Sequence, residues 1–112
     1  MYKTTLVESD IAEGQRVVDE AEKLLRVSAA SWLHLEEDDE WKLVIVSPDV
    51  PEKGPFSLYT SIAAMLNNLS RDPQKPVQMP LARVTLLSPS SLLYERVKRF
   101  SGLFDSHIYK MS

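Results

Sequence analysis

The chain has 112 residues, enough for one domain with a single core. A hydrophobic fraction of 44% and a charged fraction of 26% are typical of folded proteins, so we expect an ordered chain. The absence of cysteine excludes disulfides, thiolate metal sites and a cysteine nucleophile. No apolar run approaches the roughly 20 residues that span a bilayer, and no apolar secretion signal is recognised near Met1. We therefore expect a cytoplasmic domain with no membrane contact.

The formal charge of −3 is divided unevenly between the two halves of the chain. Residues 1–52 hold 13 acidic and 5 basic side chains, whereas residues 53–112 hold 3 acidic and 8 basic ones. Such asymmetry either marks a polyanion-binding half or draws the halves together within one fold or between two copies. We favour attraction between the halves, because a chain with negative net charge is a poor electrostatic match for a polyphosphate.

The first periodic segment predicts an amphipathic helix over residues 6–25. Apolar side chains recur there at spacings of three and four, which places them on one stripe. Gly14 falls on this stripe although glycine costs about 1 kcal/mol relative to alanine inside a helix. Close approach of another part of the chain would explain it. The alternative is a strand over residues 2–7, with the helix starting at Ser9 or Asp10.

Two apolar runs around an acidic turn predict a β-hairpin. Side chains of Ala29–Leu35 alternate between two faces, and residues 41–47 are apolar on both faces, as in a central strand. Five acidic residues, 36–40, separate the runs and must stay in water. The short separation favours antiparallel pairing. Pro48 and Pro51 end the extended stretch.

A second helix is predicted over residues 54–70. Gly54-Pro55 is a good start, because proline at the first helical position loses no needed N–H group. Three prolines between residues 72 and 80 then predict a loop. The spacing assigns to the apolar face of this helix Phe56, Tyr59, Ile62, Ala63, Leu66 and Leu69.

The end of the chain predicts a strand and a helix. Alternation over residues 81–87 indicates a third strand. Ser88-Pro89 then begins a third helix, which Gly102 ends. Residues 108–111 are either a last short strand or a frayed tail.

These elements predict a single α+β domain over residues 1–112, with the order α-β-β-α-β-α. We expect a small antiparallel or mixed sheet of three to four strands, packed by helices. If strands 41–47 and 81–87 run parallel, the helix between them makes a right-handed βαβ unit. A strand over residues 2–7 would instead give the ferredoxin-like order βαββαβ.

Several short motifs give a resemblance that covers roughly residues 11–70. They are Trp32-Leu33-x-Leu35, the run Glu40-Trp41-Lys42-Leu43-Val44-Ile45-Val46-Ser47-Pro48, and Lys53-Gly54-Pro55 followed by Tyr59. With these motifs the chain resembles a group of small uncharacterised bacterial proteins. The resemblance implies a cytoplasmic bacterial origin. It transfers no activity and no functional residue.

Glu40 and Lys42 have the Glu-x-Lys spacing of metal-dependent nucleases. A strand places both side chains on one face, where a carboxylate holds Mg²⁺ and a lysine positions water. Such a site needs a further acid, for which Asp49 and Glu36 are the nearby choices. The triplet also fits a solvated hairpin end, which we favour. The run 36–40 lacks the glycine and ligand spacing of a calcium loop, so we interpret it as a solvated turn rather than a cation site.

Partner binding is the remaining class of function. The two histidines, His34 and His107, have no triad or zinc spacing around them, and no cofactor or small-molecule motif is recognised. Tryptophan is enriched at interfaces, although core packing is the commoner role. Arginines on the basic half could add to a patch. The candidate partner-binding residues are Trp32, Trp41, Arg83, Arg96 and Arg99.

The sequence therefore predicts a non-enzymatic interaction or accessory module that binds another protein or a second copy of itself. The alternative is a nucleic-acid-binding protein that uses the basic half. The third hypothesis is a Mg²⁺-dependent nuclease around Glu40 and Lys42.

Overall fold

The computed structural model describes residues 6–35, 40–92, 94–95 and 106–110, with only the backbone of Leu35 and Ser106. Within these residues the chain has an α+β fold with a four-stranded mixed sheet and three α-helices. No helix among them has the length and apolar character needed to cross a membrane. In chain order the elements are α1 (Glu8–Leu24), β1 (Ala29–Leu35), β2 (Glu40–Val46), α2 (Asp49–Lys53), α3 (Pro55–Ser70), a 3₁₀ turn (Leu81–Arg83), β3 (Val84–Leu87) and β4 (Ser106–Lys110).

The sheet has the strand order β3-β2-β1-β4. β1 and β2 form the predicted antiparallel hairpin, in which Ala29 pairs with Val46 and Leu35 pairs with Glu40. β3 runs parallel to β2, after a crossover that contains α2 and α3. β4 lies antiparallel to β1 on the other edge of the hairpin. The most apolar strand, β2, is thus a central one, as its sequence predicts.

The element order departs from the prediction in two places. The prolines after β2 do not simply end an extended stretch, because Pro51 lies within the short helix α2. The predicted third strand begins later, at Val84, after a 3₁₀ turn over Leu81–Arg83. The open choice at the end of the chain is resolved in favour of a strand, β4. Of the helix predicted from Ser88, the structure shows helical backbone at 92, 94 and 95.

The ferredoxin-like alternative differs from the observed sheet. That arrangement is a split βαβ unit, in which another strand separates the two parallel strands. Here β2 and β3 are direct neighbours. Residues 2–5, which the alternative strand requires, lie outside the described residues, and Leu6 and Val7 belong to neither a helix nor a strand.

The two faces of the sheet pack against different parts of the chain. One face carries Trp32, Leu43 and Ile45 and packs against α1 and α3 in the main core. The opposite face carries Leu33, Val44 and Val46 in a smaller cluster with Tyr94. The main core also includes Val17, Val18, Ala21, Leu58, Ile62, Met65, Leu66 and Leu69 from the two helices.

Gly14 marks the closest packing of α1 against the sheet. A Cβ atom at this position would overlap the Tyr109 hydroxyl and lie 2.5 Å from Nε1 of Trp32. Trp32 Nε1 donates to the Tyr109 hydroxyl at 2.9 Å, and that hydroxyl donates to the Ile11 carbonyl. Burial raises the pKa of the Tyr109 phenol. The close approach predicted at Gly14 therefore comes from two side chains that tie α1 to β1 and β4.

Candidate interaction surface

The two tryptophans predicted to bind partners lie in the core. Trp32 is fully buried, and Trp41 is 8% exposed with its ring 5.5 Å from that of His34. They do not face each other across the hairpin, because Trp32 pairs with Leu43 and Trp41 pairs with His34. In this conformation neither ring presents surface to a partner, so their position gives no support to partner binding and fits the core role.

Arg83 is drawn inward by two neighbours. Its guanidinium lies 4.7 Å from the centre of the Trp32 ring, a cation–π contact, and 3.5 Å from an Asp10 carboxylate oxygen. Because the positive charge of Arg83 is already paired within the fold, this arginine attracts a phosphate group less strongly. Arg96 and Arg99 lie outside the described residues.

Glu40 and Lys42 pair with each other rather than with a metal-binding group. Lys42 Nζ lies 3.4 Å from the Glu40 carboxylate and donates at 2.9 Å to the Ala82 carbonyl. In the part of the chain that the structure describes, no three His, Asp or Glu side chains are grouped as a metal ion would require. Residues 36–39 of the acidic turn lie outside that part.

Several ion pairs within the fold join residues of the two oppositely charged halves of the chain. Asp10 with Arg83 and Glu22 with Lys110 join the acidic first half to the basic second half. A third link has the reverse sense, because Arg16 bonds Asp72 at 2.9 Å. These contacts support the interpretation that the two halves attract each other within one chain.

Asp49, the most buried acid among the described residues, belongs to a structural ion pair. It is 3% exposed and accepts hydrogen bonds from the backbone N–H of Arg26 at 2.9 Å and from its guanidinium Nε and Nη2 at 2.9 and 2.6 Å. These bonds lower the pKa of Asp49. Glu52 accepts a further bond from Arg26 beside an open groove of about 750 Å³. The carboxylate thus fastens the end of α1 to α2.

The outward face of α3 is unusual because it carries no charge. None of the 16 residues from Pro55 to Ser70 is acidic, basic or histidine. After Pro55, the residues of α3 that face solvent have aromatic, small or amide side chains: Phe56, Ser57, Thr60, Ser61, Ala64, Asn67 and Asn68. We call this set the α3 face.

Phe56 is the largest apolar side chain of the α3 face, and it is 85% exposed. It follows a sharp corner at Gly54, whose φ of +85° and ψ of 140° residues with a side chain rarely adopt, and Pro55 then restrains the first helical residue. The backbone that presents the phenyl ring is therefore restrained before any partner arrives.

The assignment of Phe56 to the buried face of its helix is wrong. The inner face is set by Leu58, Ile62, Met65 and Leu69, which recur at spacings of four, three and four and are all buried. Phe56 precedes Ile62 by six residues and so lies well away from this stripe. Two signals in the sequence would have identified the α3 face. Leu58 and Met65 lie at helical spacing from Ile62 and Leu69, and the whole segment lacks charged residues.

Comparison with protein-family models, with curated proteins and with solved structures gives no match to this chain. The resemblance to a group of small bacterial proteins stays a prediction from its motifs.

Proposed function

We propose that this chain is a non-enzymatic protein-interaction module that binds its partner through the α3 face. The observation that carries this proposal is the combination of an uncharged outward face with Phe56 at 85% exposure. The centres of protein–protein interfaces are depleted in charged residues and enriched in aromatic ones. The α3 face lacks charge and presents one exposed aromatic ring, that of Phe56.

A helix that only meets water would not be expected to have this composition. At the chain's charged fraction of 26%, sixteen residues would carry about four charges, which favour solubility on an exposed helix. α3 has none. A protein surface that covers α3 explains both the missing charges and the exposed phenyl ring, because burying an unpaired charge there would oppose binding.

Protein binding stays the function predicted from the sequence, but the proposed binding surface is the α3 face rather than the tryptophans and arginines. Trp32 and Trp41 support the fold, and Arg83 is paired with Asp10. The nucleic-acid and nuclease alternatives stay predictions that no contact of the described residues favours. A cytoplasmic location also stays a prediction, one that suits a chain without cysteine.

Site-specific photo-cross-linking in the cells of origin tests this function. A photoreactive amino acid is placed at Phe56 or Ala64 on the α3 face. Matched controls carry it at Leu92, which is 82% exposed, or at Ala12, an exposed alanine of α1. We expect a discrete protein adduct from the two α3 positions and little product from the two controls.

The cross-linking experiment can also refute the proposal. If Phe56 and Ala64 give no adduct above that of Leu92 and Ala12, the α3 face is not a protein-binding surface. Circular dichroism of each variant checks that the fold is retained. We expect that it is, because all four side chains are exposed.

A further inference from the structure

The two edge strands of the sheet differ in the side chains that they carry. The edge of a β-sheet offers N–H and C=O groups to which another chain can add a strand, and a lysine on the edge opposes this. β4 carries Lys110, whereas β3 (Val84–Leu87) has no charged residue and only one polar one. A short apolar strand at an edge favours association of one copy with another, so any protection of β3 has to come from outside the strand.

The pairing of β3 with β2 shows which of its backbone groups point outward. The Leu87 carbonyl accepts a hydrogen bond at 2.9 Å from the N–H of Ser47, the residue that follows β2. Leu87 therefore directs its backbone groups towards the side of β2. Because successive residues of a strand direct these groups to opposite sides, the N–H groups of Val84 and Leu86 point away from β2.

Both outward N–H groups of β3 are bonded within the chain. The Val84 N–H donates to the Leu81 carbonyl, which closes the 3₁₀ turn, and the Leu86 N–H donates to the Tyr59 hydroxyl at 2.9 Å. Tyr59 belongs to α3, and its side chain is partly buried against the main core, which holds the phenol in place. A strand that approached this edge would find both of these donors occupied.

We infer that Tyr59 blocks strand addition at the outer edge of β3 and so keeps copies of the chain from joining edge to edge. A phenylalanine at this position would fill the same space against the core, but it would leave the Leu86 N–H without its bond. The hydroxyl is therefore the part of the side chain that closes the edge. This inference is independent of the proposed function, because Tyr59 is not one of the residues of the α3 face.

Tyr59→Phe tests the inference, because it removes the hydroxyl and keeps the ring. Amide hydrogen exchange, followed by NMR at low protein concentration, reports on each N–H group separately. The Leu86 N–H should exchange at least about fivefold faster than in the wild type, a factor typical of one lost hydrogen bond. The Val84 N–H, which the 3₁₀ turn holds, should exchange at the wild-type rate. Circular dichroism checks that the fold is retained.

Self-association is the second readout. At high protein concentration, sedimentation equilibrium should give Tyr59→Phe a larger average mass than the wild type at the same concentration. Exchange at Leu86 should then slow again, because its N–H pairs with the second copy. The double variant Tyr59→Phe/Thr85→Lys should return to the wild-type mass, since it places a lysine on the partly exposed position of the edge strand.

A control variant separates an open edge from a general loss of stability. Ile62→Val weakens the core without changing β3, and it should keep the wild-type mass at every concentration. The inference is overturned if Tyr59→Phe also keeps that mass, or if exchange at Leu86 does not change. Association of Ile62→Val to the same extent, or of the double variant, overturns it as well, because the edge of β3 would then not be the surface that joins the copies.

Discussion

α1 and α3 pack on the same face of the sheet, but their outward sides differ sharply. Eight of the 17 residues of α1 are charged, whereas none of the 16 residues of α3 is. Both helices bury a comparable apolar stripe, with Val17, Val18 and Ala21 on α1 and Ile62, Leu66 and Leu69 on α3. Packing against the sheet therefore accounts for the inner side of each helix and leaves the composition of the α3 face unexplained.

The difference shows which part of each helix folding constrains. α1 uses its charges to fasten the chain, through Arg16 to Asp72 and Asp10 to Arg83. Within the described part of the chain, the outward residues of α3 form only local side-chain hydrogen bonds, such as those from Thr60 and Ser61 to the carbonyls one turn earlier. The α3 face thus contributes little to the fold, which is why we assign it to binding.

The largest effect should come from the inner side of α3. Ile62 is fully buried, so Ile62→Ala should lower the free energy of unfolding by about 2–5 kcal/mol through lost burial and a residual cavity. Thr60→Ala, on the outward side of the same helix, should change it by less than about 0.5 kcal/mol. Urea unfolding measures both, and equal losses would contradict the division of α3 into an inner and an outward side.

A smaller effect should come from the closest packing of α1. Gly14→Ala should destabilise the fold by about 1–3 kcal/mol, because the new methyl group overlaps Trp32 and Tyr109. Helix propensity alone predicts the opposite sign. The control is Ala12→Gly, which is exposed on the same helix and should cost about 1 kcal/mol through propensity. A Gly14→Ala variant as stable as the wild type in thermal unfolding would refute the packing role of Gly14.

The smallest effect concerns the ion pair between the end of α1 and α2. Hydrogen bonds from Arg26 lower the pKa of Asp49 in the folded chain below its unfolded value. The stabilisation is therefore complete above the unfolded pKa, about 3.9, and is lost as the pH falls towards the folded value.

Asp49→Asn removes that titration and should flatten the fall in stability below about pH 4. The midpoint of thermal unfolding, measured from pH 7 to pH 3, checks this expectation. Glu52→Gln is the control, since Glu52 contacts the same arginine from an exposed position and should alter the profile less. Identical acid profiles for Asp49→Asn and the wild type would show that the ion pair does not govern acid stability.

The parts of the fold that local patterns encode were predictable. Ala29–Leu35 was predicted with its observed bounds, and the hairpin with β2 follows from apolar runs on either side of a polar turn. α3 was predicted to within one residue at its start, because proline fixes the entry. Gly14 was recognised as a close contact because glycine is costly inside a helix.

The features that depend on distant parts of the chain were not predictable in the same way. The bond between Arg26 and Asp49 joins residues 23 positions apart, and the one between Trp32 and Tyr109 joins residues 77 apart. β4 pairs with β1 across about two thirds of the sequence, as in the pairing of Ala30 with Lys110. The α3 face was missed because the spacing of Phe56 from Tyr59 and Ile62 also fits a helical stripe, whereas Leu58 and Met65 set the stripe that is buried.

The most direct measurement of the central claim is the yield of cross-linked protein from residue 64 of α3 relative to that from residue 12 of α1, in the same cells. Both are exposed alanines on neighbouring helices. A discrete adduct that forms from position 64 and not from position 12 is the predicted result. Equal yields from the two positions would contradict the assignment of the α3 face to protein binding.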